Sequence, residues 1–202
     1  MLTLPLLRKM LNRAGTELKA NSKYLCELDS VAGDGDHGIT IGRMADVMKE
    51  KTEDTTIDTM RVLLDELGDA FMGINGGSAG PLWGTVFTGM AEGIDDQAEL
   101  TDLELRKMFT QAKEDFMDIS KAKPGDKTMV DALYPAIDAI IETQGSLKEI
   151  MTAAAAAADA GAEQTSTMVA RFGRAKNMGE RSIGTKDAGA VSIAMLLNGM
   201  AQ

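Results

Sequence analysis

The chain contains a single cysteine, Cys26, and a single histidine, His37, among its 202 residues. One cysteine cannot form an intrachain disulfide, so the fold depends on a buried core and not on covalent cross-links. The chain is long enough for that, because a domain of this size buries roughly 70% of its unfolded surface. A nucleophilic role for His37 would need a base partner, and the chain has no second histidine to act as one.

Long hydrophobic runs and an excess of positive charge are also missing. No apolar stretch has the length of a signal peptide or a membrane span, so we expect a cytoplasmic protein. Lysine and arginine number 21 against 31 aspartates and glutamates, which gives a formal net charge of −10. Nucleic acid and anionic membrane surfaces would repel such a protein as a whole. A phosphate-bearing ligand would therefore need a metal ion.

Aromatic residues make up only 4% of the chain, whereas methionine is present 15 times. This usage favours closely packed helices over a sheet. From Leu4 to Leu25, apolar residues recur at helical spacing without strand-like alternation. We predict an all-α fold of about eight helices in a single domain that spans residues 1–202. The predicted helices cover roughly residues 3–27, 39–51, 56–73, 79–93, 101–120, 128–144, 146–170 and 187–200.

Two predicted helix starts carry a capping box, in which a hydroxyl residue is followed three positions later by glutamate. These are Thr101 with Glu104 and Ser146 with Glu149. The alanine run 153–158 lies within a helical pattern. Such a run lets neighbouring helices approach closely, so we interpret it as a packing surface and not as a binding site.

Three carboxylates, Asp29, Asp34 and Asp36, lie in one short glycine-bearing segment beside His37. Like charges this close repel one another, and a hard divalent cation removes that cost. Carboxylate oxygens are the ligands that Mg²⁺ and Ca²⁺ prefer. The segment is therefore a candidate metal loop, and we expect His37 to contact a phosphate there. The alternative is a solvated acidic turn whose side chains cap helices.

Residues 33–38 formally fit the G-x-G-x-x-G dinucleotide fingerprint, but a helical pattern precedes them and two carboxylates would face the pyrophosphate. The segment also lacks the spacing of an EF-hand loop, and the chain has no P-loop motif. A classical dinucleotide-binding fold and a P-loop protein are thereby excluded. An acidic Ca²⁺-binding structural domain stays open, and it would bind metal without nucleotide.

Three further breaks between the predicted helices hold unusual residues. Residues 76–80, with Ser78, are either an amide cradle for an anion at a helix start or a flexible turn. Residues 123–131 read as a turn followed by a helix start. Residues 171–189 form a long non-repetitive loop, and loops of that length inside compact domains tend to be functional. Arg174 in this loop could neutralise a transferred phosphoryl group or form an ordinary surface ion pair.

Together these segments resemble the nucleotide-binding L subunit of bacterial dihydroxyacetone kinase. The resemblance runs through residues 28–38, 76–84, 124–133 and 173–189, in the family's order and spacing. It implies an eight-helix antiparallel barrel with ADP or ATP and two Mg²⁺ ions at one end.

The resemblance also implies a role for each matched residue. Asp29, Asp34 and Asp36 would hold the two Mg²⁺ ions, and Arg174 would be the catalytic residue. The nucleotide would be bound by His37, Gly38, Ile39, Thr40, Gly77, Ser78, Ala79, Ser120, Thr128, Met129, Arg174, Asp187, Ala188 and Gly189.

In this family the ketose is bound on a separate K subunit. In its phosphotransferase-linked version, a phosphohistidine-carrying M subunit recharges the bound ADP. The resemblance thus implies a Mg²⁺-dependent phosphotransferase subunit that delivers the terminal phosphoryl of ATP to dihydroxyacetone or a related short ketose. Two alternatives stay open, namely a nucleotide-sensing regulatory module without turnover and a ketose kinase subunit that uses free ATP.

Two segments depart from the family pattern. The usual Gly-Ala-Ser-Gly turn is here residues 77–80, in which the serine and alanine are exchanged. The usual Gly-His-x-Asp-Pro-Gly is here residues 184–189, without the histidine and the proline. Both changes fall on expected phosphate or nucleotide contacts, so a kinase for a related short ketose is included in the prediction.

Overall fold

The structure is a computed structural model that describes all 202 residues. It contains nine α-helices, two 3₁₀-helices and two strands of two residues each. The α-helices are α1 (Leu4–Ala20), α2 (Ser22–Ser30), α3 (His37–Glu53), α4 (Met60–Met72), α5 (Ala79–Glu92), α6 (Asp102–Ile119), α7 (Val130–Glu142), α8 (Leu147–Gln164) and α9 (Ala188–Ala201). The 3₁₀-helices cover Thr165–Thr167 and Arg174–Ser182, and the strands β1 (Leu2–Thr3) and β2 (Glu99–Leu100) pair antiparallel.

Eight of the helices form a closed ring. Each helix from α3 to α9 packs against its neighbours in sequence, and α1 closes the ring by packing against both α3 and α9. Helix α2 packs against α3 and α9 outside this order. The predicted all-α, eight-helix antiparallel barrel is confirmed.

The prediction of one helix over residues 3–27 is wrong in one respect, because the helix breaks at Asn21 into α1 and α2. The side-chain amide of Asn21 donates from Nδ2 to Glu17 O at 2.9 Å, and the Ser22 hydroxyl donates to Lys19 O at 2.9 Å. Side chains that bind the last carbonyls of α1 compete with the helical ladder and end it there. The strand pair is a second departure from the all-helical expectation.

Several boundaries follow from side-chain caps. Both predicted capping boxes are present, so α6 begins after Thr101 and α8 begins after Ser146. Helix α4 begins later than predicted because the Thr59 hydroxyl accepts from Val62 N and fixes the start.

One continuous hydrophobic cluster of 51 buried residues fills the ring. In the alanine run of α8, Ala154, Ala155 and Ala158 are buried, as the packing interpretation predicted. Farther along the same helix, a Cβ at Gly161 would overlap the carbonyl oxygen of Asp131 in α7. Helices α7 and α8 are thus in backbone contact, which only small side chains permit.

Alternating directions around the ring bring four helix N-termini to one end of the barrel. They are the first residues of α3, α5, α7 and α9, namely His37, Ala79, Val130 and Ala188, and all four line the same cavity. Each helix start carries a partial positive charge from the helix dipole. This end of an acidic protein is therefore suited to an anion.

Candidate functional site

A cavity of about 660 Å³ opens at this end of the barrel. Its wall combines the acidic loop after α2, the glycine turn before α5, the loop between α6 and α7, and the segment that leads into α9. These are the four breaks that the sequence singled out. The size lies within the range of pockets that hold small molecules and cofactors.

The acidic loop brings its three carboxylates together. One oxygen from each of Asp29, Asp34 and Asp36 lies within 4.8 Å of the others. Asp29 Oδ2 accepts backbone hydrogen bonds from Gly35 N at 2.9 Å and Asp36 N at 3.1 Å. The loop thus folds around the Asp29 carboxylate, and the oxygen set fits a hard divalent cation.

Two glycines permit this loop. A Cβ at Gly33 would overlap the carboxylate of Asp29, and Gly35 has φ +77°, a conformation that L side chains rarely adopt. A side chain at either position would displace the oxygens that converge in the cluster.

Arg174 reaches the acidic loop from the opposite side of the cavity. Its Nη1 forms an ion pair with Asp34 Oδ1, and the two side chains are 59% and 45% exposed. A pair this exposed adds little stability. It does place a guanidinium beside the carboxylate cluster. The sequence alone left two roles open for Arg174, a phosphoryl contact and a surface ion pair.

The His37 ring is bonded to α9. Its Nε2 lies 3.0 Å from Ser192 Oγ, and the Ser192 hydroxyl donates to Gly189 O at 2.9 Å. Burial lowers the pKa of His37, although the charge of Asp29 and the backbone of Ala188 raise it. The His37 ring therefore lines the cavity in an orientation that its hydrogen bond with Ser192 fixes.

The glycine turn lies at the start of α5. Gly77 has φ +66°, Ser78 occupies the N-cap position of α5, and Gly77, Ser78 and Ala79 all line the cavity. Behind the turn, a Cβ at Gly76 would overlap the side chain of Thr40. The turn is therefore pressed against α3, with its outer face toward the cavity.

Three predicted nucleotide residues do not line the cavity. Gly38 and Thr40 are buried, and Ile39 is 54% exposed on the outer surface. The amides of Ile39 and Thr40 donate to Asp36 O at 3.0 and 3.1 Å. Those two amides are used in hydrogen bonds within the first turn of α3. The side of α3 that faces the cavity is the one that carries His37.

The remaining wall comes from the α6–α7 loop and the start of α9. The predicted residues on it are Ser120, Thr128, Met129, Asp187, Ala188 and Gly189. Asp187 accepts from Ala190 N at 2.8 Å and so caps α9. Desolvation raises the pKa of Asp187 to about 6, although the hydrogen bond from Ala190 and the charge of Lys127 lower it.

Three residues of this region were missed by the sequence analysis. Asp131 accepts from Gly125 N at 2.5 Å and Thr128 N at 2.8 Å, and so shapes the α6–α7 loop. Lys127 is buried in the wall, and Ser192 holds His37. A signal existed for Asp131, since a carboxylate between Val130 and Ala132 interrupts an apolar helix start. No such signal marked Lys127 or Ser192.

A family model described as the DAK2 domain matches residues 31–202. The chain belongs to this family. The match begins just after Asp29 and includes Asp34, Asp36 and the other three walls of the cavity. No helix of this DAK2-family protein combines the length and the apolar character needed to cross a membrane.

Curated relatives differ in how much of their length the chain covers. An L-erythrulose kinase of Pectobacterium atrosepticum is 38% identical over 93% of this chain, but the chain spans only 33% of that kinase. The ADP-binding subunit of the PEP-dependent dihydroxyacetone kinase of Escherichia coli K12 is 34% identical, with 95% of this chain and 92% of the subunit covered.

Solved structures of the dihydroxyacetone kinase of C. freundii share the fold. The native form superposes with a TM-score of 0.75 at 27% identity, covering 97% of this chain and 34% of the kinase chain. A second structure of that kinase, in complex with AMP-PNP and Mg²⁺, has a TM-score of 0.75 at 26% identity, covering 97% and 33%. The chain therefore corresponds to about a third of that larger kinase.

Proposed function

We propose that this chain is the ADP/ATP-binding subunit of a dihydroxyacetone kinase, which transfers the terminal phosphoryl of Mg²⁺-bound ATP to a short ketose. The proposal rests mainly on one observation. Four helix N-termini and the cluster of Asp29, Asp34 and Asp36 surround the same cavity. Carboxylates would hold the cation, and the helix starts would face the phosphates. The named E. coli subunit and the complex of the C. freundii kinase support this assignment.

Each wall of the cavity would take one part of the nucleotide. The phosphates would lie between the acidic loop and the turn at Ser78 and Ala79, with Arg174 beside them. Ser120, Thr128 and Met129 would border the adenine and ribose, and the Asp187–Gly189 turn would close the opposite side. Thr40 would act from within α3 by packing against Gly76 of the glycine turn, and Gly38 would act by letting α3 lie close to Ser22 and Cys26 of α2.

The chemistry is positioning and charge neutralisation, without a covalent intermediate on this chain. Asp29, Asp34 and Asp36 would hold the two Mg²⁺ ions, which when bound would supply positive charge to neutralise the phosphates. Asp29 would hold the acidic loop in shape through its amide contacts, and Asp34 and Asp36 would present oxygens toward the cavity. Arg174 would stabilise the charge that develops as the phosphoryl group leaves.

The resemblance to the family implies that the ketose would be held on a separate K subunit, and this chain would supply the donor half of the phosphoryl-transfer site. A phosphohistidine-carrying M subunit would recharge the bound ADP. Homologous subunits named as PEP-dependent or PTS-dependent, each covered over most of its length, support this linked branch. A subunit that uses free ATP is the alternative within the same chemistry.

The ketose is dihydroxyacetone or a close analogue. The relative at 38% identity is an L-erythrulose kinase, and two further relatives in Mycolicibacterium smegmatis are erythrulose kinases. Their names favour a four-carbon ketose as the second candidate substrate.

Mass spectrometry of the purified protein, followed by turnover assays with a K subunit, tests the proposal. We expect ADP to copurify, and we expect ketose phosphorylation to require the phosphohistidine carrier. An empty site with sustained turnover on ATP alone would indicate the free-ATP branch. Nucleotide binding without ketose phosphorylation under either condition would identify a regulatory module instead.

A further inference from the structure

Lys127 is a buried lysine in the wall of the cavity. Its side chain is only 3% exposed, although the residue lines the cavity and precedes Thr128 and Met129. Its φ of +59° makes it the one residue other than glycine with positive φ. Strained backbone of this kind persists only where surrounding contacts determine it, and it concentrates at functional sites.

The contacts that hold Lys127 lie on a distant segment of the chain. Its Nζ donates to Thr165 O at 2.6 Å and also to Thr185 O, which are 38 and 58 positions away. Thr165 continues the connection, because its hydroxyl accepts from Asp187 N at 2.9 Å. A single ammonium group therefore joins the α6–α7 loop to the segment that leads into the Asp187–Gly189 turn.

A second set of bonds accompanies this one. Arg171 N donates to Asp126 O at 3.1 Å, and Gly184 N donates to Ser166 O at 2.7 Å. These bonds are nearer the surface, since Arg171 is exposed, whereas Lys127 is buried. The ammonium is the inner connection between the two walls.

The charge around Lys127 fits the same role. Burial lowers the pKa of Lys127, and the neighbouring carboxylates of Asp187 and Asp131 raise it. Without the ammonium, the carbonyl oxygens of Thr165 and Thr185 would lose the donor that they share. A buried acceptor left without a donor costs free energy, so the two carbonyls would separate or admit water.

We propose that Lys127 is a positioning residue that locks the 165–187 segment over the nucleotide cavity and so sets the rate at which the nucleotide leaves. This inference rests on the proposed nucleotide-binding function. Lys127 acts through Thr165, Thr185 and Asp187, and it takes no part in the chemical step. Retention of bound ADP, which a recharged subunit needs, then depends on a group outside the metal loop.

The dissociation rate of a fluorescent ADP analogue with Mg²⁺, measured by displacement in stopped flow, tests this directly. We expect Lys127→Met to raise the dissociation rate at least tenfold with an association rate changed less than threefold. Lys127→Arg should restore slow release, because the guanidinium retains charge and donors. Lys123→Met, an exposed lysine of the same loop, should match the unmodified protein. A folded Lys127→Met protein with unchanged release would overturn the proposal.

Two further measurements keep the test decisive. Thr165→Val removes the acceptor of the Asp187 amide, so it should also speed release, even if Lys127→Met fails to fold. Hydrogen exchange at residues 184–187 should rise in Lys127→Met without any nucleotide present. If the unmodified protein binds no ADP, the proposed function fails, and the exchange result alone decides whether Lys127 locks this segment. Equal exchange in both proteins would refute it.

Discussion

Asp187 lines the proposed nucleotide cavity, and the ionisation of its carboxylate lowers the stability of the folded protein. Its pKa in the folded state, about 6, lies above the ordinary 3.8, so the folded protein keeps a proton that the unfolded chain releases between those values. The corresponding stability is complete below about pH 4 and is lost as the pH rises through 6. At neutral pH the protein therefore carries an ionised, poorly hydrated carboxylate in the wall of the cavity.

Replacing Asp187 with asparagine keeps a side-chain cap on α9 and removes the ionisation. We expect Asp187→Asn to be more stable than the unmodified protein by about 1 to 3 kcal/mol at pH 7.5. This difference should shrink toward zero as the pH falls to 4, in urea unfolding without nucleotide. The exposed Asp58→Asn serves as the control. A pH-independent difference for Asp187→Asn would contradict the account.

A second prediction for a single residue concerns the charge of Arg174. Its guanidinium is paired with Asp34 at the carboxylate cluster, where phosphoryl charge would develop. Arg174→Ala should lower turnover with a K subunit by roughly 10²-fold or more, which corresponds to a few kcal/mol of transition-state stabilisation. Arg181→Ala, an exposed arginine of the same 3₁₀-helix, is the matched comparison. If both variants turn over normally, Arg174 forms only a surface ion pair.

At the scale of helices, the close contact of α7 with α8 is the feature most sensitive to a single methyl group. Gly161→Ala forces a Cβ onto the carbonyl of Asp131, so it should destabilise the fold by about 3 kcal/mol. Gly15→Ala makes the same change within α1, where the nearest atoms are 3.4 Å away. That variant should be neutral or stabilised by up to about 1 kcal/mol. Chemical denaturation of both proteins checks the pair, and similar stabilities would refute the backbone contact.

The helices themselves could be predicted because each depends on local periodicity and on caps within a few residues. The acidic loop, the glycine turn and the 171–189 segment could also be picked out, since carboxylates, glycines and length are visible in sequence. The break at Asn21 depends on two side chains that bind carbonyls of the preceding turn, and helical periodicity continues through it. Lys127 could not be found, because its partners are backbone carbonyls whose proximity only the closed ring creates.

At the scale of the whole molecule, an acidic barrel collects four helix N-termini at one end and places its three-carboxylate loop among them. The helix N-termini attract phosphate, whereas the carboxylates repel it, so the proposed nucleotide would bind well only when a cation lies between the two. The chain spans about a third of the C. freundii kinase, and we propose that it supplies the donor half of the reaction. We therefore expect ADP binding to require Mg²⁺.

Isothermal titration calorimetry of ADP, with and without Mg²⁺, tests that claim most directly. Proteins for comparison are the unmodified chain stripped of nucleotide, Asp36→Asn in the cluster, and Asp58→Asn in the exposed loop after α3. The account predicts ADP binding that requires Mg²⁺, is lost in Asp36→Asn with the helical circular dichroism spectrum retained, and is unchanged in Asp58→Asn. ADP binding of equal strength without Mg²⁺, or in Asp36→Asn, would contradict it.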